Sequence, residues 1–263
     1  MHYQILNTRV DCTSYRDACD RIQYWAQSGR SCYVVAANVH VVMSGWWNRR
    51  YQQVINQAAL VTSDGMPLVM ALRLLGNREQ SRVYGPDLML AWCDRAAKTG
   101  LPIYLYGSTE ETLEKMRAGL KRRFPGLAIA GMKAPSFQQM SEGEELADRE
   151  AIRASGAKVV FVGLGCPKQE LWMARQAGKL DCVMVGVGAA FQFFSGEVSQ
   201  APRWMMGLSL EWLYRLCMEP RRLWKRYLIN NPAFVLLFSA QWLGAKIWPQ
   251  KVERPENLDY IGK

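Results

Sequence analysis

The clearest indication of the fold is in residues 158–191, KVVFVGLGCPKQELWMARQAGKLDCVMVGVGAAF. Lys158–Val162 is a short apolar run, and a loop containing Gly and Pro follows it. Lys168–Gly178 has the length and pattern of a helix, and Val183–Val187 is a second apolar run. A helix that joins two apolar strands forms a βαβ unit, and such strands belong to a parallel sheet that is buried on both faces.

The same alternation extends toward the N-terminus. The sequence predicts further strands at Tyr33–Ala37, Leu60–Thr62, Pro102–Tyr106 and Leu127–Ala130. It predicts helices over residues 38–47, 49–59, 67–75, 85–98, 110–123 and 142–155. Strands that alternate with helices in this way predict an α/β fold, with helices on both faces of one parallel sheet.

The composition narrows the class of partner. The chain has 263 residues, of which 49% are hydrophobic and 21% charged, so a globular domain is expected. The formal charge of +10 indicates an anionic partner: nucleic acid, a phosphate-bearing ligand or an acidic membrane surface. No nucleic-acid-binding motif is present, so we expect no nucleic acid partner. The seven Cys and two His form neither a zinc motif nor a disulfide framework, which favours a reducing compartment.

The character of the chain changes after Ala201, so we predict a core over residues 1–201 and a basic, Trp-rich helical appendage over residues 202–263. Pro202–Arg226 carries six basic residues against two acidic ones. Tyr227–Ala245 carries no charge, but Asn230-Asn231-Pro232 interrupts its apolar sequence. A membrane span needs about 20 mostly apolar residues, so we do not expect one here. We expect the appendage to bind an anionic membrane surface. The alternative is a helix packed on the core with a solvated basic face.

Three Gly-containing loops follow predicted strands, at residues 107–109, 163–165 and 186–188. The last two do not complete a dinucleotide-binding G-x-G-x-x-G motif, because Lys168 and Phe191 occupy the sixth positions. Such loops can present backbone N–H groups to a diphosphate, or they can simply be tight turns. There is no D-x-D motif for a divalent metal. We therefore predict neither a metal nor a cofactor, and Arg, Lys and helix N-termini must balance any diphosphate.

Asp64 is the carboxylate of greatest interest. It follows the strand Leu60–Thr62, at the carboxyl edge where open α/β sheets bind their ligands. It can serve as a general base or cap the next helix. Asn38 follows another strand and can bind sugar or phosphate. Asp87 can cap the helix that Gly85 opens, and His40 is expected to be an ordinary core or surface residue.

Seven short sequence strings occur in a fixed order along the chain. They are NVHVVM at 38–43, VTSDGMP at 61–67, RVYGPDL at 82–88, GLGCPKQE at 163–170, GVGAAF at 186–191, QAPRW at 200–204 and LEWLYRL at 210–216. Together they resemble the WecG/TagA/CpsF family, glycosyltransferase family 26, over residues 5 to 240.

The resemblance implies a Rossmann-like core and a metal-independent, inverting glycosyltransferase. Such an enzyme moves a sugar from UDP-N-acetylmannosamine, its uronic acid or UDP-glucose to a polyprenyl-diphosphate-linked sugar. The product is a β-linked, lipid-linked disaccharide in surface or exported polysaccharide synthesis. The implied location is cytoplasmic, peripheral on the inner face of the bacterial plasma membrane, and a homo-oligomer is left open.

The resemblance also suggests site residues. It implies that Asp64 is the catalytic base and that Asn38 and Gln169 contact substrate. The basic appendage would dock on the membrane and help to complete the site, with Arg215, Arg222 and Lys225 at the family's arginine positions. The loops at the strand ends and the strings at 82–88 and 186–191 add further residues to the expected substrate-binding set. These are Gly85, Asp87, Gly107, Ser108, Gly186 and Gln192.

Two positions depart from the family pattern. Ala36 stands where a Thr is frequent, and Gln192 stands where an Asp is frequent. Gln can bind a sugar hydroxyl but cannot accept a proton as a base. These departures motivate an alternative function, a non-catalytic UDP-sugar-binding or scaffold subunit of a polysaccharide-assembly complex.

Overall fold

The computed structural model of the chain describes residues 1–136 and 141–247. It begins with an antiparallel hairpin of β1 (His2–Ile5) and β2 (Thr8–Asp11). Leu6 and Asn7 form the turn with φ values of 50° and 61°, the left-handed geometry that suits a two-residue hairpin. The sequence analysis did not predict this hairpin, because its strands are short and polar and its turn lacks the usual glycine.

The central sheet has six strands, all parallel, in the order β4-β3-β8-β7-β5-β6. The strands are β3 (Cys32–Ala37), β4 (Leu60–Ser63), β5 (Ile103–Gly107), β6 (Ile129–Lys133), β7 (Val159–Gly163) and β8 (Val183–Gly186). This confirms the predicted Rossmann-like α/β fold. The edge strand β6 begins at Ile129, because the buried Leu127 belongs to the preceding turn, where its N–H bonds to Phe124 O at 3.0 Å.

Helices cover both faces of the sheet. They are α1 (Tyr15–Gln27), α2 (Val39–Trp47), α3 (Arg49–Asn56), α4 (Met66–Leu74), α5 (Gly85–Thr99), α6 (Glu110–Arg123), α7 (Glu142–Ala154), α8 (Lys168–Gln176) and α9 (Ala190–Phe194). Side chains of β3 alternate between two hydrophobic clusters: Tyr33 and Val35 pack with α2, α3 and α8, whereas Cys32 and Val34 pack with α1 and α5. This period of two is what a strand buried on both faces requires.

Three helices follow the last strand: α10 (Arg203–Gly207), α11 (Glu211–Met218) and α12 (Pro220–Ile247). We call them the C-terminal helices. α12 continues through Pro232, which lies inside the helix. Phe234 and Phe238 of α12 pack into the core, and the Gln241 side chain bonds to Leu6 N at 2.8 Å and to Gln4 O at 2.6 Å.

The C-terminal helices and the turn after α10 expose large apolar residues. They include Trp204, Leu208, Trp212, Trp224, Leu228, Ile229 and Leu236. Across residues 1–136 and 141–247, no helix is both long and apolar enough to span a bilayer. Residues 248–263 of the expected appendage, Trp248 among them, lie outside the described residues. The boundary after residue 201 stays a prediction.

Candidate active site

A cavity of about 1330 Å³ lies at the carboxyl edge of the sheet. Because the strands are parallel, the residues that follow β3, β4, β5, β7 and β8 all reach this edge. The C-terminal helices form the facing wall. Of the expected site residues, the structure places these at the cavity: Asn38, Asp64, Ser108, Gln169, Gln192, Arg215 and Arg222.

Asp64 is held by the ends of two neighbouring segments. Its Oδ1 accepts a hydrogen bond from the N–H of Gly85 at 2.6 Å, and its Oδ2 accepts one from Nδ2 of Asn38 at 3.3 Å. Asn38 is itself fixed as the N-cap of α2, since its Oδ1 accepts from the N–H groups of His40 and Val41. The N-cap position of α4 is occupied by Gly65, so Asp64 does not have the capping role that was its alternative.

The surroundings of Asp64 also set its proton affinity. Burial raises the pKa of the Asp64 carboxyl, the nearby Arg82 and the Gly85 N–H oppose that rise, and Glu211 adds to it. A carboxylate whose pKa is raised is a stronger proton acceptor than an ordinary surface Asp. The geometry therefore presents a positioned carboxylate, with raised basicity, to the cavity.

Arg82, Tyr84 and Glu211 form a polar cluster beside Asp64. Arg82 Nε donates to the Asp64 carbonyl oxygen at 2.5 Å, and its Nη2 donates to Glu211 Oε2 at 2.6 Å. Tyr84 Oη donates to Glu211 Oε1 at 2.9 Å, and the Arg82 guanidinium lies 4.0 Å from the Tyr84 ring centroid. No role was predicted for these three residues from the sequence. The one indication was that they lie within the strings at 82–88 and 210–216, which resemble the family.

Gln169 is buried, and its side chain pairs within the protein. Its Nε2 donates to Glu170 Oε1 at 2.6 Å, and its Oε1 accepts from the N–H of Gly188 at 3.2 Å. Glu170 also accepts from Tyr51 Oη at 2.9 Å. Gln169 therefore fixes the loop after β8, in addition to lining the cavity.

Four of the expected substrate-binding residues do not line the cavity: Gly85, Asp87, Gly107 and Gly186. Lys225, which stands where the family has an arginine, does not line it either. Gly107 has a φ of +132°, and a Cβ there would lie 2.6 Å from the backbone of Gly163, so it permits two strands to pack closely. Asp87 instead forms an ion pair with Arg203, at 2.9 Å. Of the loop after β5, it is Ser108 and not Gly107 that reaches the cavity.

Cations on the C-terminal helices face the same space. Arg215 and Arg222 line the cavity as expected, but Arg226 takes the place foreseen for Lys225. Lys225 lies with its Nζ 5.5 Å from the Trp224 ring centroid. Arg226 falls on the same face of α12 as Arg222, four residues earlier. The buried Nε atoms of Arg215 and Arg226 have no hydrogen-bond partner among the described residues.

His40 lies beside these cations. Its Nδ1 is 3.3 Å from Nδ2 of Asn230, and it lines the cavity. Burial and the nearby Arg226 lower the pKa of His40 to about 4, so the imidazole is neutral at neutral pH. Burial likewise lowers the pKa of Arg226. Bound anionic groups could pair with the buried Nε atoms of Arg215 and Arg226, whereas Arg222 already pairs with Glu219.

The two departures from the family pattern both face the cavity. Ala36 of β3 and Gln192 of α9 line it, together with the carboxylate of Glu197. Within the part of the chain that the structure describes, no three His, Cys, Asp or Glu side chains are grouped so that they could hold a metal ion.

A parallel α/β sheet with a positioned carboxylate and unpaired arginines at its carboxyl edge defines a class of protein suited to group transfer on phosphate-bearing substrates. Comparison with known proteins agrees and is more specific. The sequence model of the Glycosyl transferase WecG/TagA/CpsF family matches residues 3–247, and the chain belongs to this family.

Two relatives carry the same name, N-acetylglucosaminyldiphosphoundecaprenol N-acetyl-beta-D-mannosaminyltransferase. The protein from Bacillus spizizenii is 34% identical over 212 residues, which cover 80% of each chain. The protein from Bacillus subtilis strain 168 is 31% identical over 222 residues, which cover 84% of each chain. The chain is therefore similar to glycosyltransferases over most of their length.

Proposed function

We propose that this protein is an inverting glycosyltransferase that moves a sugar from a UDP-sugar to a sugar linked to polyprenyl diphosphate, forming a β-linked disaccharide. The observation that carries the proposal is Asp64, held by Gly85 and Asn38 at a cavity whose opposite wall is cationic. The relatives' names support an N-acetylmannosaminyl donor and an N-acetylglucosaminyl-diphosphoundecaprenol acceptor. UDP-glucose and the uronic acid of UDP-N-acetylmannosamine are the other donors to be compared.

The reaction proceeds as a single displacement. Asp64 accepts the proton of the acceptor's O4 hydroxyl while that oxygen bonds to C1 of the donor sugar. The bond between C1 and the UDP oxygen breaks, so the configuration at C1 inverts and UDP leaves. A positioned base of this kind contributes roughly 10²- to 10⁴-fold to the rate.

The negative charge that develops on UDP is met by the cations of the C-terminal helices. Arg215 and Arg226 offer guanidinium groups with unpaired Nε atoms, and Arg222 lies on the same wall. Removal of one such preorganised donor typically costs roughly 3 to 4 kcal/mol of transition-state stabilisation. These arginines let the enzyme act without a metal ion in this proposal.

The C-terminal helices also provide the proposed membrane contact. Exposed Trp204, Trp212 and Trp224 lie on them, close in sequence to Arg221 and Lys225. Tryptophan side chains favour the headgroup region, and each cation near an anionic leaflet contributes about 1 kcal/mol. We therefore propose peripheral binding to the inner face of the plasma membrane, where a lipid-linked acceptor is accessible.

The second candidate function is a non-catalytic UDP-sugar-binding subunit. It is favoured by Ala36 and Gln192, because neither side chain can supply the hydroxyl or carboxylate that is frequent at its position in the family. The retained Asp64 and its two hydrogen-bond donors favour the enzyme.

Sugar transfer by the full-length protein in detergent tests the proposal. The acceptor is a polyprenyl-diphosphate-linked N-acetylglucosamine, and the donors are the three UDP-sugars. Asp64→Asn is compared with Asp94→Asn, a matched change in an exposed carboxylate that pairs with Lys98. We expect transfer from one donor, a loss of at least about 10²-fold in Asp64→Asn, and no loss in Asp94→Asn.

Each other outcome has a distinct meaning. Transfer that survives Asp64→Asn would show that another group accepts the proton. UDP binding by calorimetry without transfer from any donor would favour the non-catalytic subunit.

A further inference from the structure

Glu211, in the first turn of α11, joins the C-terminal helices to the core next to the proposed base. Both of its carboxylate oxygens are used: Oε2 accepts from Arg82 and Oε1 accepts from Tyr84. The ion pair is largely buried, with the side chains of Arg82 and Glu211 only 16% and 14% exposed. A buried pair with two hydrogen bonds has a defined geometry, unlike a surface ion pair.

The segment that Glu211 holds, residues 82–85, also bonds to Asp64 at two points. Arg82 donates to the carbonyl oxygen of Asp64, and the N–H of Gly85, which directly follows Tyr84, donates to its Oδ1. Tyr84 is fixed on its other side, since its N–H donates to Tyr15 Oη at 3.0 Å. A continuous set of hydrogen bonds thus runs from α11 through residues 82–85 to the Asp64 carboxylate.

We propose that Glu211 is a positioning residue that couples the docking of α11 to the geometry and basicity of Asp64. Docking of α11 brings Glu211 to Arg82, which neutralises the positive charge of Arg82 beside Asp64. The same contact holds residues 82–85 in place. The inference rests on the proposed function to the extent that Asp64 is taken as the base.

The electrostatic part of the coupling follows from the groups that face Asp64. They are Arg82, Glu211, Tyr84, Tyr15 and the amide of Asn38. Without the charge of Glu211, Arg82 remains as an uncompensated cation that stabilises the Asp64 carboxylate. The pKa of Asp64 then falls, and its carboxylate becomes a weaker base.

A second ion pair provides the matched control. Arg203 of α10 pairs with Asp87 of the core at 2.9 Å, so it also joins the C-terminal helices to the core. Its side chain is 74% exposed, and its hydrogen bonds within the described residues go to Asp87, not to Asp64 or Glu211. Loss of this pair removes an anchor but leaves the hydrogen bonds of Glu211 and of Asp64 in place.

The test compares Glu211→Gln, Glu211→Asp and Arg203→Gln with the wild-type chain, measuring kcat, KM and the pH dependence of transfer, with thermal melting as a check on folding. We expect Glu211→Gln to lower kcat by about 10²-fold, as a misplaced and weakened base would. The acidic limb of the pH–rate profile of Glu211→Gln should move to lower pH. Glu211→Asp, which keeps the charge, should retain the wild-type limb. Arg203→Gln should stay within about twofold of wild type in kcat.

Two kinetic results would overturn the inference: a Glu211→Gln enzyme with wild-type kcat and pH profile, or an Arg203→Gln enzyme with an equal loss and the same shift. If the wild-type chain transfers no sugar, the proposed function fails, and the carboxyl titration of Asp64 by ¹³C NMR decides the inference separately. A lower pKa of Asp64 in Glu211→Gln than in wild type supports it, and an unchanged pKa overturns it.

Discussion

Replacement of Arg226 by Gln should lower activity and raise stability at the same time. The Arg226 guanidinium is partly buried near Arg215, and its Nε has no hydrogen-bond partner in the part of the chain that the structure describes. In the protein without substrate this unsatisfied group costs about 1 to 3 kcal/mol, and Gln removes its charge. For a chain of this size, 1 kcal/mol corresponds to a change in Tm of roughly 2 to 4 °C. With diphosphate bound the same group becomes a donor, and its loss should slow transfer about 10²- to 10³-fold.

Lys225→Gln is the discriminating comparison, because sequence position favoured Lys225 for this role and the structure favours Arg226. Sugar transfer is measured without detergent, to an acceptor with a short lipid chain, so that membrane binding does not contribute. The Tm of each variant is measured without ligand and with UDP. We expect Arg226→Gln to have a higher Tm than wild type without ligand and a smaller increase on addition of UDP. Equal activity losses in the two variants, or a ligand-free Tm of Arg226→Gln below that of the wild type, would contradict this role of Arg226.

Three further outcomes are expected. Asp64→Asn should raise Tm at pH 7, because burial raises the pKa of Asp64 and its ionised form opposes folding there; a lower Tm would contradict this. Gly186→Ala places a Cβ 3.2 Å from Nε2 of Gln169 and should destabilise by about 1 to 3 kcal/mol in urea unfolding, whereas Gly119→Ala, in open space on α6, should not destabilise. His40 has a pKa lowered to about 4, below its usual 6.5, so the unfolded state binds its proton first as pH falls. Stability should therefore decline from pH 6.5 toward pH 4, and less steeply in His40→Asn.

Local sequence was enough to predict the main elements of the core. The apolar runs at residues 33–37 and 158–162 became β3 and β7 almost unchanged, because strands buried on both faces carry an unbroken apolar pattern. The hairpin β1–β2 was missed, because its residues are polar and its stability comes from packing against other parts of the chain. α12 continues past Pro232 against the local preference of Asn-Asn-Pro, because contacts of Phe234 and Phe238 with the core outweigh that preference.

Some residues of the candidate site could likewise be predicted from local sequence, and others could not. Asp64 and Asn38 could be predicted, since each directly follows a strand and parallel strands end at a common edge. The roles of Glu211 and Arg82 could not, because they are separated by 129 residues and meet only through the docking of α11.

Local pattern and an ordered set of strings were sufficient to predict the fold class, the family and the position of Asp64 at the carboxyl edge of the sheet. The folded chain was needed to show that Arg226 and not Lys225 faces the cavity, that Gly107 and Gly186 allow close packing, and that Glu211 reaches the surroundings of Asp64. Side-chain direction and long-range contact depend on how helices dock, and docking is set by packing of the whole chain.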